Sequence, residues 1–229
     1  MKQETGSNLL ENNNGSEISI QIYRGGFSVV YPLDDPRAPL YFDALDLSTL
    51  QGVLSQFEGR ISQVVFSVSD VTLVPLELYE MASPWEHLAA SGIPCWSHSY
   101  YAQTLEDSSC VVVWAVDSSL AGLLEELLDV RVVFTHTLGL VLGLSSAFGA
   151  DAFVYQQDSL SVVLHYGHGR LLNHLVLEDA SPVDLLYYLG RFAQSGSSGI
   201  GCVELLGDCS LELYELLSRY YGLENVKKE

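Results

Sequence analysis

Three histidines that lie close together in the sequence are the first candidates for metal chemistry. His165 and His174 fall within two runs that predict neighbouring strands, and His168 lies in the turn 167–169 between them. Two strand histidines that face each other could bind a metal ion, because imidazole nitrogen is a common ligand. No Cys, Asp or Glu completes a recognisable ligand spacing, so we favour a polar hairpin surface and expect no metal.

The glycine- and serine-rich residues 195–201 are the second candidate for ligand chemistry. A P-loop needs a strand before it and the motif G-K-[ST] within it, so that lysine and backbone amides hold phosphate. This stretch follows a predicted helix and contains no lysine, and we interpret it as a connector. No serine lies in a sequence that resembles a nucleophile elbow, so nothing indicates hydrolase chemistry.

The charge of the chain excludes several classes of partner. Its 229 residues include 29 acidic and 10 basic ones, which gives a formal charge of −19. Lysine occurs only at Lys2, Lys227 and Lys228, and the arginines are isolated from one another. Nucleic-acid binding needs a cationic track, and an anionic membrane surface repels a chain of this charge. We therefore expect no nucleic acid and no membrane insertion, whereas a basic protein would be attracted.

Cytoplasmic location is the expectation from the cysteines and the N-terminal residues. The four cysteines form no C-x-x-C pair, and we interpret them as small buried hydrophobes in a reducing compartment. Residues 1–17 are polar and lack the apolar core of a signal peptide, so we predict a disordered tail. Residues 132–150 carry no charge, but their glycines and hydroxyl groups favour a short strand and a buried helix over a membrane span.

The elements that must position these residues follow an order that occurs twice. Periodicity and turn residues predict three strands, a helix, a strand, a helix and a strand over residues 18–149, with extra elements inserted. The same order returns over residues 150–229. Hydrophobic residues make up 48% of the chain, enough for a sizeable core. The duplication predicts two similar α/β lobes, each with a mixed sheet covered by helices, and a cleft between them.

Helix starts are predicted from capping residues and prolines. Pro75 is expected to open a helix that reaches about Ala90, because proline suits the first helical position. Polar residues that precede apolar helical runs predict the remaining starts, namely Ser118 or Ser119, Ser181 and Ser210.

Three stretches carry a resemblance to a known family: residues 72–75, residues 184–188, and residues 203–208 with the following 213–220. On these stretches the chain resembles an uncharacterised bacterial family, a domain of unknown function with an actin-like ATPase fold. The resemblance implies the ribonuclease H-like architecture of two similar lobes. It implies no established activity, so it bears on shape more than on function.

The resemblance allows the first hairpin to be compared, residue by residue, with the nucleotide site of actin-type ATPases. Actin-type ATPases hold phosphate on two hairpins, in which a first strand ends in a metal-binding Asp and glycines follow. Gln21 stands where the acid is expected, and Tyr23 stands where the first glycine is expected. Gly25 and Gly26 remain, but an ordinary hairpin turn explains them.

The second hairpin also lacks the expected acid and the expected glycine. Tyr155 stands near the expected acid, Gln156 replaces a glycine, and Asp158 has the place of a turn residue. Gly207 and Asp208 resemble the strand end that lies near adenosine in the superfold, but we favour a plain turn before a helix cap, because the turn chemistry alone explains them. Two neutral replacements would remove the charge that attracts Mg²⁺. Asp151 and Asp158, which flank the second strand, are the acids that could still overturn this interpretation.

The expected function is therefore protein–protein contact, as a scaffold or assembly adaptor, without ATPase activity and without a cofactor. Tyrosines on the two predicted helices of the second lobe offer a contact surface, because aromatic side chains are enriched in interfaces. One alternative is a divergent nucleotide-binding ATPase or kinase that uses the interlobe cleft. Another is a small-molecule sensor that uses the cleft without phosphate chemistry. An unknown protein and a second copy of the chain both stay open as partners.

Overall fold

The computed structural model describes residues 17–32, 35–79, 83–93, 98–105, 109–145, 149–195 and 199–228. The chain divides into two units, and the boundary lies between Gly143 and Leu144. We call residues Leu10–Gly143 the N-terminal unit and residues Leu144–Glu229 the C-terminal unit. The predicted boundary between residues 149 and 150 stays a prediction. Most of the predicted tail, residues 1–16, and the middle of the stretch 195–201 lie outside the described residues.

The N-terminal unit contains a five-stranded sheet and a three-stranded sheet. Its elements are β1 (Ile18–Tyr23), β2 (Gly26–Val30), β3 (Leu40–Phe42), α1 (Leu47–Gln56), β4 (Ile61–Ser67), β5 (Val71–Pro75), α2 (Pro84–Ala90), β6 (His98–Leu105), β7 (Cys110–Asp117), α3 (Ser118–Leu127), β8 (Val133–His136) and α4 (Thr137–Ser145), which spans the unit boundary. The five strands have the order β3-β2-β1-β4-β8. The pairs β3–β2 and β2–β1 are antiparallel, and β1–β4 and β4–β8 are parallel. The inserted strands form an antiparallel sheet of order β5-β7-β6.

The C-terminal unit repeats the five-stranded arrangement. Its elements are β9 (Ala152–Gln157), β10 (Leu160–Gly167), β11 (Arg170–Glu178), α5 (Pro182–Ser195), β12 (Val203–Gly207), α6 (Leu211–Tyr221) and β13 (Val226–Lys228). The strand order is β11-β10-β9-β12-β13, with two antiparallel pairs followed by two parallel ones. Order and direction match those of the first sheet, so the predicted duplication of a mixed α/β sheet is confirmed.

The core of the C-terminal unit explains why these residues form these elements. Alternate residues of β9 and β12 point to one face of the sheet, where α5 and α6 present leucines at helical spacing. The fully buried members of this core include Ala152, Val154, Val203, Leu205, Leu185, Leu189, Leu213 and Leu217. Both helices begin at a predicted cap. The Ser210 hydroxyl accepts from Leu213 N at 3.1 Å, and Ser181 exchanges hydrogen bonds with Asp184.

Two predicted helix starts in the N-terminal unit are wrong. Pro75 does not open a helix; it ends β5, an edge strand paired with β7, and a single 3₁₀ turn follows. Proline fits both places because neither requires its missing N–H. The helix begins instead at Pro84. For α3 the cap is Asp117, whose carboxylate accepts from Ser119 N at 2.9 Å; Ser118 is the first helical residue.

An aromatic cluster joins the two sheets of the N-terminal unit. The rings of Phe66 on β4 and Trp114 on β7 lie 6.0 Å apart, and Tyr101 on β6 stacks on both. Phe134 contacts Phe66 and Tyr101 edge-on, and His136 lies 5.7 Å from Trp114. The uncharged stretch after Arg131 therefore forms β8 and then α4, as predicted as far as Ser145. Within the described residues, no helix has the length and apolar character needed to cross a membrane.

Candidate functional site

Gln21 lies at the carboxyl end of β1, where the N-terminal unit would receive a ligand. Ligands of open α/β sheets bind at the carboxyl ends of parallel strands. The Gln21 side chain is only 3% exposed, and its amide nitrogen donates to Ser67 Oγ at 3.1 Å. Ser67, the last residue of β4, also shares a hydrogen bond of 2.6 Å with the Thr137 hydroxyl at the start of α4. Three buried polar groups at this edge thus bind one another.

Tyr23, Gly25 and Gly26 form the rest of the first hairpin. Tyr23 pairs with Gly26 across the turn, and its hydroxyl points to the carbonyl oxygens of Phe27 and Phe42 at 3.4 and 3.5 Å. A Cβ atom on Gly26 would lie 1.9 Å from the Phe42 carbonyl oxygen, whereas nothing lies within 4 Å of one on Gly25. The close approach of β3 therefore requires glycine at position 26, without any ligand.

Tyr155 occupies the equivalent position of the C-terminal unit, near the carboxyl end of β9. Its ring is 1% exposed, and its hydroxyl donates to the Gln157 side-chain oxygen. Burial, and then the carboxylates of Asp208 and Asp158, raise the pKa of this phenol far above its usual value. Tyr155 is consequently neutral at physiological pH and carries no charge for a metal ion.

The structure brings Gly207 and Asp208 to the same edge as the second hairpin. Strand β12 pairs in parallel with β9, so that Gly207 lies beside Gln156, and Asp208 N donates to the Gln156 carbonyl at 2.7 Å. Gly207 has φ +77°, and a Cβ atom there would lie 2.3 Å from that carbonyl oxygen and 2.9 Å from the Tyr155 ring. Packing of the two strand ends accounts for this glycine.

Two carboxylates, Asp158 and Asp208, remain at this edge. Asp158 has φ +51° in the two-residue turn between β9 and β10, a conformation that Asp tolerates. Partial burial, followed by the nearby Asp208 charge, raises the pKa of Asp158. Within the described residues, no group of three or more His, Cys, Asp or Glu side chains is arranged to hold a metal ion.

Asp151 has a structural role at the other end of β9. Its carboxylate accepts from the backbone amides of Gly201 at 2.9 Å and Cys202 at 3.0 Å. These bonds join the amino ends of the parallel strands β9 and β12. Since a strand rises about 3.3 Å per residue, Asp151 lies roughly 20 Å from the carboxyl end of β9.

The three histidines do not converge. His165 is opposite Asn173, while His174 is opposite Leu164, the neighbour of His165. Directly opposed residues share a face and adjacent ones do not, so His165 and His174 lie on opposite faces of the sheet. His165 stacks on Phe192 of α5, and His168 lies in an exposed turn. The idea that these histidines share one metal ion is therefore wrong.

His136 is a buried titratable group that the sequence does not single out. Its Nε2 donates to the Val68 carbonyl at 2.9 Å, and its Nδ1 accepts from Leu138 N at 3.0 Å, which fixes a neutral tautomer. Burial lowers its pKa to about 3, although the Val68 bond opposes this shift. The signal in the sequence was the uncharged run on both sides of His136.

A surface groove of about 410 Å³ lies at the amino ends of β1 and β4. It is lined by both charges, including Glu17, Arg60 and Arg131. Arg131 is engaged by Asp129 in an exposed ion pair of 3.1 Å. The groove thus lies at the amino ends of the strands, whereas Gln21 lies near the carboxyl end of β1. Because its lining carries charges of both signs, the groove does not favour one class of ligand.

Comparison with solved structures identifies the architecture. A Bacteroides thetaiotaomicron VPI-5482 protein of unknown function with an actin-like ATPase fold matches at TM-score 0.73 and 17% identity, over 93% of this chain and 90% of that one. The chain has the actin-like ATPase fold. The PilM–PilN type IV pilus biogenesis complex matches at TM-score 0.53 and 16% identity, over 95% of this chain and 89% of that one. No protein-family model and no curated protein matches.

The actin-like ATPase fold is thus confirmed as the fold that the resemblance implies. Identities of 17% and 16% show a shared fold and nothing about activity.

Proposed function

We propose that this actin-like protein works through protein–protein contacts, as a scaffold or assembly adaptor, and does not hydrolyse ATP. One observation carries the proposal. At the carboxyl ends of β1 and β9, where the fold places metal-binding acids, stand Gln21 and Tyr155. Both side chains are neutral, buried and hydrogen-bonded within the protein.

Electrostatics gives this observation its weight. Mg²⁺ takes oxygen ligands and is usually held by one or two carboxylates together with the substrate phosphates. An amide that donates to Ser67 and a phenol whose pKa is raised provide no negative charge. To receive Mg²⁺ beside Gln21, the protein would have to break the hydrogen bonds among Gln21, Ser67 and Thr137. Each buried polar group left unpaired costs about 1–3 kcal/mol.

Exposed apolar side chains on α5 and α6 support a role in protein contacts. Val183 and Tyr187 on α5, one helical turn apart, are 65% and 58% exposed, and Leu211 and Tyr220 on α6 are 66% and 69% exposed. Tyrosines are enriched at interfaces because the ring buries area and the hydroxyl keeps a hydrogen bond. PilM, which shares the fold, occurs in a complex with PilN. We include a cytoplasmic location in the proposal, supported by the free thiols of Cys110, Cys202 and Cys209.

Thermal unfolding with and without Mg·ATP tests the proposal. A ligand at a hundredfold excess over its Kd stabilises the folded state by about 2.7 kcal/mol. For a chain of this length that is a rise in Tm of roughly 5–10 °C. We expect no shift at millimolar Mg·ATP and no release of phosphate.

The acids at the β9 edge provide the matched control. The alternative function, a divergent ATPase, has Asp158 and Asp208 as its remaining support, so the double variant D158N/D208N removes them. A Tm rise in the natural chain that this variant abolishes would establish a nucleotide site and refute the proposal. The expected result is that Mg·ATP leaves the thermal midpoint unchanged in the natural chain and in the double variant.

A further inference from the structure

The C-terminal sheet has two edge strands that differ in how they are protected. Edge strands invite pairing with other chains, and proteins guard them with short length, lysine, proline or bulges. Strand β13 has three residues, two of which are lysines. Strand β11 has nine residues and contains neither lysine nor proline. A bulge at its start, opposite Tyr166, leaves residues 173–178 in regular register with β10.

The apolar side chains of β11 are incompletely covered. Leu175 and Leu177 point to the face that packs on α5 and α6, yet they are only partly buried there. Their partners on β10, Val163 and Ser161, are buried. Among the described elements, β10 is the only one in extensive contact with β11. One more strand beside β11 would complete the cover of both leucines.

The charges of β11 favour a second copy of the same strand as the occupant. Arg170 stands at one end and Glu178 at the other, with leucines on both sides of the central Asn173 and His174. In an antiparallel pair of identical strands, Arg170 of each copy lies beside Glu178 of the other copy. The pair therefore contains two contacts between opposite charges. A parallel partner would place like charges together, which is unfavourable.

We propose that β11 pairs antiparallel with β11 of a second copy of this chain. The pairing joins the five strands of each copy into one continuous sheet around a two-fold axis. Main-chain hydrogen bonds supply affinity, and the two Arg170–Glu178 contacts set direction. The inference deepens the proposed function by naming one partner. It concerns oligomeric state alone, so its failure would leave the Mg·ATP result unchanged.

Sedimentation equilibrium of the full chain tests the pairing. We expect a monomer–dimer equilibrium that Val176→Lys, in the regularly paired part of β11, shifts to monomer. The matched control is Val133→Lys, the same substitution on β8, an edge strand of the N-terminal sheet with Val133 56% exposed. Both variants change the net charge equally. A chain that is monomeric at every concentration, or a dimer that Val133→Lys breaks and Val176→Lys does not, would overturn the proposal.

Charge reversal provides a second test that does not perturb the core. Arg170 is exposed, so Arg170→Glu should leave the fold intact, which the thermal midpoint verifies. Arg170→Glu and Glu178→Arg should each raise the dimer Kd by about tenfold, because two favourable contacts become repulsive. The double variant restores the natural pairing and should recover the original Kd. Additive weakening in the double variant would refute antiparallel self-pairing.

Discussion

Acid should destabilise the N-terminal unit through His136. The unfolded chain binds a proton to this histidine below its ordinary pKa of 6.5, whereas the folded chain binds one only below about 3. Between these values the unfolded state holds more protons, so stability falls as pH falls. The slope approaches about 1.36 kcal/mol per pH unit, and the loss between pH 7.5 and 5 is about 2 kcal/mol. Carboxylates with a lowered pKa, such as Asp46 at about 2, titrate below this range.

Urea unfolding followed by tryptophan fluorescence measures this loss. The three tryptophans, Trp85, Trp96 and Trp114, all belong to the sequence of the N-terminal unit, and Trp114 lies beside His136. Fluorescence therefore follows the unit that contains His136. His174, whose pKa burial also lowers, is in the C-terminal unit and contributes less to this signal.

Substitution of His136 separates its titration from other effects. His136→Asn can retain an acceptor for Leu138 N and loses the donor to Val68, which costs about 1–3 kcal/mol at neutral pH. The variant should also show a flatter dependence on pH. His168→Asn, in an exposed turn with φ +52°, is the matched control and should keep the natural slope. An unchanged slope in His136→Asn would refute the reasoning.

Two further predictions concern the C-terminal unit. Gly207→Ala should lower the free energy of unfolding by about 1–3 kcal/mol, because the position combines φ +77° with a carbonyl oxygen 2.3 Å from the new Cβ. A denaturant titration measures this loss. In the same titration, Gly25→Ala should change the free energy little, because nothing lies within 4 Å of a Cβ at that position. Ser210→Ala removes the cap of α6 and should cost about 1 kcal/mol. Ser210→Asp, which retains a capping oxygen, should recover most of that loss, and equal loss in both variants would contradict the capping role.

Much of the fold follows from the sequence because its signals are local and repeated. Turn residues at positions 24–25 and 158–159 fix antiparallel neighbours, and alternating helices fix parallel ones. The predicted helix start at Pro75 was wrong because the end of an edge strand and the first turn of a helix accept proline for the same reason. Choosing between them required knowledge of β7, which pairs with β5 from more than thirty positions away.

The candidate site was predictable in its residue types but not in its contacts. That neutral side chains, Gln21 and Tyr155, stand near the carboxyl ends of β1 and β9 could be identified from strand position alone. The partners of Gln21 could not, since Ser67 is 46 residues away and Thr137 is 70 residues beyond Ser67. Likewise, the opposite orientation of His165 and His174 depends on cross-strand register, which a single sequence does not reveal.

The insertion between β4 and α3 also affects how the chain folds during synthesis. Strand β4 is an interior strand of its sheet, but one of its two partners, β8, follows only after the whole three-stranded sheet has been made. At roughly 5–20 residues per second, residues 68–132 take several seconds to leave the ribosome. Throughout that time the apolar strand Ile61–Ser67 has an open edge. In the C-terminal unit only α6 separates β12 from its partner β13, so a strand edge stays open for longer in the nascent N-terminal unit than in the C-terminal unit.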